Sequence, residues 1–238
     1  MRRFFAPVES FLGSGVSLDA DETRHLRDVL RLKRGDEVSV FDGSGREFRA
    51  SVSDIEKKSS MLSIIDEITP SSPESPLEIT VAATVLNGEK YDLIVQKAVE
   101  LGVATIIPIH TVRCDVKVKD AQKRLTRWRR IALEATKQSG RAKLMQIAEP
   151  MEVETLLVDQ GNDLILFSER DGGDFSLIKD AKKMIVLFGP KGGWDDAELE
   201  LARENNVKIV TLGGRILRAE TATIAITAIL QHNFGDLN

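Results

Sequence analysis

From residue 77 onward, wholly apolar runs alternate with amphipathic helical stretches, and no other feature of the chain narrows its architecture as far. The apolar runs cover residues 77–85, 105–109, 163–167, 184–188 and 207–211. Between and after them, residues 89–101, 121–139, 196–204 and 220–233 carry helical periodicity. A strand apolar on both faces cannot leave either face to water. The pattern therefore predicts a parallel sheet covered by helices on both sides.

The segment before residue 77 reads differently. Thr69-Pro70-Ser71-Ser72-Pro73-Glu74-Ser75-Pro76 can neither propagate a helix nor pair as a central strand, and marks a linker. Upstream of it lie short strand-like runs at 37–41, 47–53 and 61–65. The first two are separated by Asp42-Gly43-Ser44-Gly45, a good hairpin turn. A short helix over 21–30 places Leu26, Val29 and Leu30 on one face. The expected organisation is a small, mostly β domain at 1–69 and an α/β domain at 77–238.

Several function classes drop out on composition. The start of the chain has two arginines but no long apolar run behind them, so it is not read as a secretory signal. No stretch reaches the roughly 18 apolar residues of a membrane span. The single cysteine, Cys114, excludes an intrachain disulfide and a Cys-rich metal site. A thiol in a reducing compartment, most simply the cytoplasm, with no metal and no membrane, is the expectation. The net charge of −4 is an average that hides segregation. Residues 113–143 hold eleven Lys/Arg against three acids, a balance of +8, and residues 144–206 hold six against fourteen, a balance of −8.

Within 121–139, Leu125, Trp128, Ala132 and Ala135 fall at core-facing spacing. Lys123, Arg127, Arg130, Lys137 and Arg141 recur every three to four residues or so as a cationic stripe, interrupted by Glu134. Stacked like charges weaken an isolated helix by about 0.2–0.5 kcal/mol per pair. Acidic neighbours are mostly absent locally, so phosphate contact is favoured over a solvated face.

Two glycine-rich segments follow apolar strands. One is Phe188-Gly189-Pro190-Lys191-Gly192-Gly193-Trp194-Asp195, and the other is Leu212-Gly213-Gly214-Arg215-Ile216-Leu217-Arg218-Ala219-Glu220-Thr221-Ala222. Ligands of open α/β sheets bind beyond the carboxyl ends of strands, where glycines let the backbone approach closely. Asp195 also suits a helix N-cap. Lys191 is followed by Gly192 rather than Ser or Thr, which excludes a Walker A loop, and no G-x-G-x-x-G opens the first βα unit. Spacing alone leaves these turns open to a purely structural reading.

These paired segments resemble the C-terminal signature of SPOUT RNA methyltransferases. The form Arg215-Ile216-Leu217-Arg218-x-Glu220-Thr221-Ala222 is similar to the RsmE family in particular. Gln96-Lys97-Ala98-Val99-Glu100-Leu101-Gly102-Val103, Arg129-Arg130-Ile131-Ala132-x-Glu134-Ala135 and Gln138-Ser139-Gly140-Arg141 agree with it. At the N-terminus, Arg2-Arg3-Phe4-Phe5, His25-Leu26-x-x-Val29-Leu30-Arg31 and Phe41-Asp42-Gly43-x-Gly45 fit that family's PUA-like RNA-binding domain. The resemblance spans almost the whole chain. One position departs from it: the family usually has Gly-Pro-Glu-Gly-Gly, and this chain has Lys191, which reverses a charge beside the expected cofactor loop.

The resemblance implies a PUA-like β-barrel followed by a SPOUT α/β domain with a trefoil knot, a rare exception to unknotted topology. It implies S-adenosyl-L-methionine (SAM) held by Leu166, Phe167, Gly189, Gly192, Gly193, Leu212, Gly213, Ile216 and Leu217. It implies a homodimer through the knotted domain, and 16S rRNA of the small ribosomal subunit as the partner methylated at a uridine N3. Arg2, Arg3 and Arg31, with Lys123, Arg127, Arg130, Lys137 and Arg141, are the expected RNA contacts. Uridine N3 needs to lose a proton, so Arg218, Glu220 and Arg141 are the catalytic candidates. Glu220 could equally cap the following helix together with Thr221. Methylation of tRNA or a 2′-hydroxyl by a SPOUT enzyme, and a noncatalytic RNA-binding or assembly role that Lys191 keeps open, are the alternatives. His25, His110 and His232 have no recognisable partner and are expected to pack or face solvent.

Overall fold

The computed structural model describes residues 1–158, 163–179 and 182–237. They form two compact units, Met1–Glu74 with Thr136–Leu144, and Ser75–Ala135 with Met145–Asn238. The last residues of the basic helix and the segment after it thus belong to the first unit.

The first unit is a six-stranded mixed sheet. Its strands are β1 (Arg2–Phe5), β2 (Phe11–Leu12), β3 (Gly15–Leu18), β4 (Glu37–Phe41), β5 (Glu47–Ile55) and β6 (Ser60–Ile68), in the order β1-β4-β5-β6-β3-β2. β1 lies parallel to β4, and the other pairs are antiparallel. Phe4, Val16, Val38, Val40, Phe48, Ala50, Val52 and Leu62 meet in one core. The hairpin turn falls where the sequence placed it. The Asp42 carboxylate accepts from the backbone N–H of Ser44 at 2.8 Å and of Arg46 at 3.2 Å. Gly43 has φ +80°, and a Cβ there would press to 3.0 Å on Leu144 and on Phe5.

Helix α1 (Ala20–Arg24) is N-capped by Asp19, which accepts from the amides of Asp21 and Glu22. One turn of π-helix over His25–Val29 continues it. That wider turn breaks the 3.6 period behind the expected face. Leu26 is fully buried but Val29 is 64% exposed, so the two do not share the face expected of them.

Three of the cations expected on RNA are engaged inside this unit. Arg3 grips Glu47 with two bonds of 2.9 Å and donates to the carbonyl oxygens of Thr136 and Arg141, at 3.0 and 2.6 Å. Lys137 pairs with Glu22. Arg141, 3% exposed, holds Glu74 through bonds of 3.0 and 2.6 Å. Removing one partner of such a buried pair costs about 3–5 kcal/mol, so these side chains are structural. The sequence reading found no acidic partners because they lie far along the chain.

The second unit carries the predicted parallel sheet. In chain order its elements are β7 (Glu78–Thr84), α2 (Lys90–Glu100), β8 (Thr105–His110), α3 (Val118–Gln122), all but the last four residues of α4 (Leu125–Ser139), β9 (Gln146–Ile147) and β10 (Met151–Glu152). They continue with α5 (Val153–Leu157), β11 (Leu164–Phe167), β12 (Lys183–Phe188), α6 (Asp196–Glu204), β13 (Lys208–Val210) and α7 (Ala219–Phe234). The order is β10-β8-β7-β12-β11-β13, with β9 also on β8 and every pair parallel. Successive strand residues point to opposite faces. Ile165 and Phe167 join Trp128, Ile226 and Leu230 in one core, while Leu164 and Leu166 join Leu156, Leu199 and Ala202 in the other.

Two details differ from the sequence reading or add to it. The helix expected over 121–139 is two helices, broken at Lys123 and Arg124, where Arg124 turns to donate to the Leu86 carbonyl oxygen at 3.2 Å. β13 is flanked on both sides. β11 pairs with one edge, and Gly173, from the segment after β11, bonds the other through Gly173 N–H to Ile209 O at 3.0 Å and Thr211 N–H to Gly173 O at 2.9 Å. No helix among the described residues is long and apolar enough to cross a membrane.

Candidate active site

The carboxyl ends of β11, β12 and β13 open into a cavity of about 430 Å³. Its floor is apolar. The Phe167 and Phe188 rings, in register on adjacent strands, stack 5.5 Å apart, and Ala219, Ala222 and Ile226 present one face of α7. The two glycine-rich segments are its walls, as their position after strands implied.

Each wall is held by specific contacts. The Trp194 indole N–H donates to the Phe167 carbonyl oxygen at 2.8 Å, laying the ring across Gly189, where a Cβ would come within 2.9 Å of it. Gly193 has φ +72°, and the Glu169 carboxyl lies where its Cβ would project. Asp195 caps α6 as expected, in a reciprocal capping box with Glu198. Glu198 accepts a second bond, from Val112 N–H at 2.8 Å, which ties the end of β8 to this wall, and burial pushes its carboxyl up. Arg113 adds two bonds of 3.1 Å, to the Gly192 carbonyl oxygen and the Asp195 carboxylate. The opposite wall is open. A Cβ on Gly213 or Gly214 would meet nothing within 4 Å, and Ile216 is 86% exposed.

Phe167, Gly189, Gly192, Gly193, Leu212, Gly213, Ile216 and Leu217 line this cavity. Leu166 does not join them, because its place one residue before Phe167 sends it into the opposite core. Ser168, Glu169, Trp194, Thr211, Arg215 and Ile226 also line it and were not among the cofactor candidates. Ala219, Ala222 and Ile226 share a helical spacing that could have flagged them. A lone Ser-Glu pair after a strand carries no such signal.

Of the catalytic candidates, Arg218 stands exposed at the N-cap of α7, with no carboxylate partner among the described residues. Glu220 lies in the first turn of α7, its carboxylate 3.4 Å from the Lys90 ammonium. No side chain caps that helix, so the capping role weighed for Glu220 and Thr221 is not the arrangement found. Arg141 belongs to the other unit and is bound to Glu74. Of the RNA candidates, Arg2, Arg31, Lys123, Arg127 and Arg130 are exposed. Lys123 lies 3.2 Å from Asp120, and Arg127 bonds Asp92 at 2.7 Å, whereas Arg130 has no acidic partner among the described residues. The histidines pack or face solvent. His25 meets Phe4 edge-on, His110 is buried, and exposed His232 contacts the Leu237 carbonyl oxygen. Cys114 bonds the carbonyl oxygens of Val85 and Val116, and burial pushes its thiol up.

Residues 73–231 match the model of an RNA methyltransferase domain, and residues 18–65 that of an RNA methyltransferase PUA domain. Ribosomal RNA small subunit methyltransferase E of Synechocystis sp. is 33% identical over 236 residues, covering 95% of this chain and 76% of that protein. The same-named protein of Mesomycoplasma hyopneumoniae is 34% identical, over 94% of this chain and 96% of its own length. Among solved structures, a ribosomal RNA small subunit methyltransferase E from Neisseria gonorrhoeae, bound to S-adenosyl methionine, superposes with a TM-score of 0.90 at 34% identity over the full length of both chains. The glycine-walled cavity, the parallel sheet beneath it and these matches agree, and the chain belongs to the ribosomal RNA small subunit methyltransferase E family of RNA methyltransferases.

Proposed function

We propose that this chain transfers the methyl group of SAM to N3 of a uridine in the 16S rRNA of the small ribosomal subunit. The cavity beyond β11, β12 and β13 carries the reading. Its volume falls within the roughly 300–1,000 Å³ of small-ligand sites. Phe167, Phe188 and Ile226 offer an apolar bed for a purine ring. Backbone groups of Gly189, Leu212, Ile216 and Leu217 stand ready for adenine and ribose, beside Gly213 and Gly214, which leave the approach clear. The solved relative that holds SAM supports the same ligand.

When bound, SAM supplies a methyl group made electrophilic by its sulfonium. The chain has to present a nitrogen lone pair to it, and such alignment can remove about 7–11 kcal/mol of barrier. Uridine N3 keeps its proton at neutral pH. As that proton leaves, charge gathers on the flanking carbonyl oxygens, where a guanidinium is most useful. Arg218 stands exposed between Leu217 and Ala219, two residues that line the cavity, and Glu220, in the first turn of α7, is the nearest carboxylate in sequence. Arg218 takes the electrostatic role, and Glu220 with Lys90 is the candidate proton acceptor.

The flanking of β13 by β11 and by Gly173 supports threading of the C-terminal segment through the loop between β11 and β12, the trefoil knot of SPOUT proteins. The half-buried apolar residues Ile224, Ala225, Ala228 and Ile229 of α7 suit a homodimer through this domain. The first unit's sheet plays the part of the PUA-like barrel, offering Arg2 and Arg31 to RNA. Single-cysteine chemistry and an rRNA substrate support a cytoplasmic location.

Purified protein incubated with SAM and unmodified small subunits is expected to leave 3-methyluridine in the digested 16S rRNA, read by mass spectrometry. A 2′-O-methyl product, or no product, overturns the reading. Of the basic helix, Arg130 is the cation best placed for phosphate. Arg130→Ala is expected to reduce the slope of log affinity against log salt by about one and leave SAM affinity unchanged. An unchanged slope removes this helix face from the RNA contact.

A further inference from the structure

The charges on the cavity wall are unequal in number and in engagement. Among the described residues lining it, Lys191 and Arg215 are cationic and Glu169 is the one carboxylate. Neither Lys191 nor Arg215 has a carboxylate partner among the described residues. Glu169 lies two residues beyond β11, over side-chain-free Gly193, and accepts no hydrogen bond there. Its neighbour Arg170 stands 3.9 Å away and directs its bonds instead to Asp196 at 2.6 Å and to the Trp194 carbonyl oxygen at 3.2 Å. A half-exposed carboxylate facing a cavity, with no structural task, is left for a ligand.

We propose that Glu169 is the counter-charge for the sulfonium of SAM and sets the preference for SAM over its demethylated product, S-adenosylhomocysteine. The inference rests on the SAM reading above. The two molecules share adenine, ribose and a zwitterionic amino-acid tail, and differ by one methyl and one positive charge. Wall cations disfavour the charged donor relative to the neutral thioether, and Glu169 offsets them at short range in a partly desolvated site. Contacts to the shared parts cancel in the ratio of the two affinities, so the ratio isolates this effect. Glu169 thereby supplies, from the neighbouring strand end, a carboxylate that position 191 of this chain does not.

Calorimetric titration of SAM and of S-adenosylhomocysteine into wild-type, Glu169→Gln, Glu169→Asp and Lys191→Glu proteins tests this. In Glu169→Gln the SAM-to-product affinity ratio is expected to fall roughly tenfold, almost wholly through weaker SAM, with thermal melting unchanged. Glu169→Asp should recover part of the ratio, and Lys191→Glu should move it the other way. A ratio within twofold of wild type in Glu169→Gln, or equal weakening of both ligands, overturns the role of Glu169 while leaving SAM as the cofactor. Absence of heat with either ligand on folded wild-type protein removes the cofactor reading itself and the proposal with it.

Discussion

Replacing Arg218 by alanine is expected to lower kcat by about 10²–10³, the usual cost of removing one group that stabilises developing negative charge. SAM affinity should stay within twofold of wild type, and the melting temperature should not move. The separation follows from where the side chain stands. Arg218 follows Leu217 of the cavity wall in extended conformation, φ −65° and ψ 151°, and caps α7 through its backbone carbonyl, which accepts from Ala222 N–H at 2.8 Å. Its guanidinium has no carboxylate partner among the described residues, so truncation removes no ion pair. Single-turnover methylation of small subunits at saturating SAM, with calorimetry alongside, is the measurement. A rate within threefold of wild type would remove Arg218 from the chemistry. Equal losses in rate and SAM affinity would make it a cofactor ligand instead.

The second large effect concerns stability. Trp128 is completely buried, its ring 4.5 Å from that of Tyr91, and its indole N–H donates to Asp92 at 3.0 Å. Asp92 also receives the Arg127 guanidinium, so α2 and α4 are fastened by one apolar contact and one shared carboxylate. Trp128→Ala opens a cavity in the main core and leaves Asp92 one donor short. The expected loss is about 3–5 kcal/mol, a large part of the about 5–15 kcal/mol that holds a domain folded. Urea unfolding should show a lower midpoint at nearly unchanged slope. A loss under about 1.5 kcal/mol would mean that neighbouring side chains collapse into the space. Trp128→Phe, which keeps most of the volume, should cost clearly less.

Trp128 and Arg127 also show where sequence reasoning carried and where it stopped. Helical spacing put Trp128 in the core, and it is there. Five of the seven strands of the α/β unit were legible because burial on both faces leaves an uninterrupted apolar run, whereas the two-residue β9 and β10 are too short to leave one. β1 was not, since Arg2-Arg3-Phe4-Phe5 reads as a strand only beside β4, and that pairing is remote in sequence. The basic stripe was legible as charge but not as free charge. Lys137 finds Glu22 from 115 residues away, and Arg141 finds Glu74 from 67. A local count of acids cannot see partners that folding delivers, so three expected RNA contacts became internal ties. In the cavity, glycines announced themselves by position after strands. Glu169, and Arg113 behind the wall, did not, because a single polar residue acquires meaning only from the loop it meets in space.

The strand that completes the cavity, β13, sits between two stretches of polypeptide that precede it. Its slot is thus built by segments that come earlier in the sequence. A polypeptide cut after α6 would keep most of the sheet and both aromatic rings of the floor, yet it would lack the far wall and α7 altogether. Ligand capture thus depends on the segment from β13 through α7, and a chain cut after α6 is expected to bind no SAM.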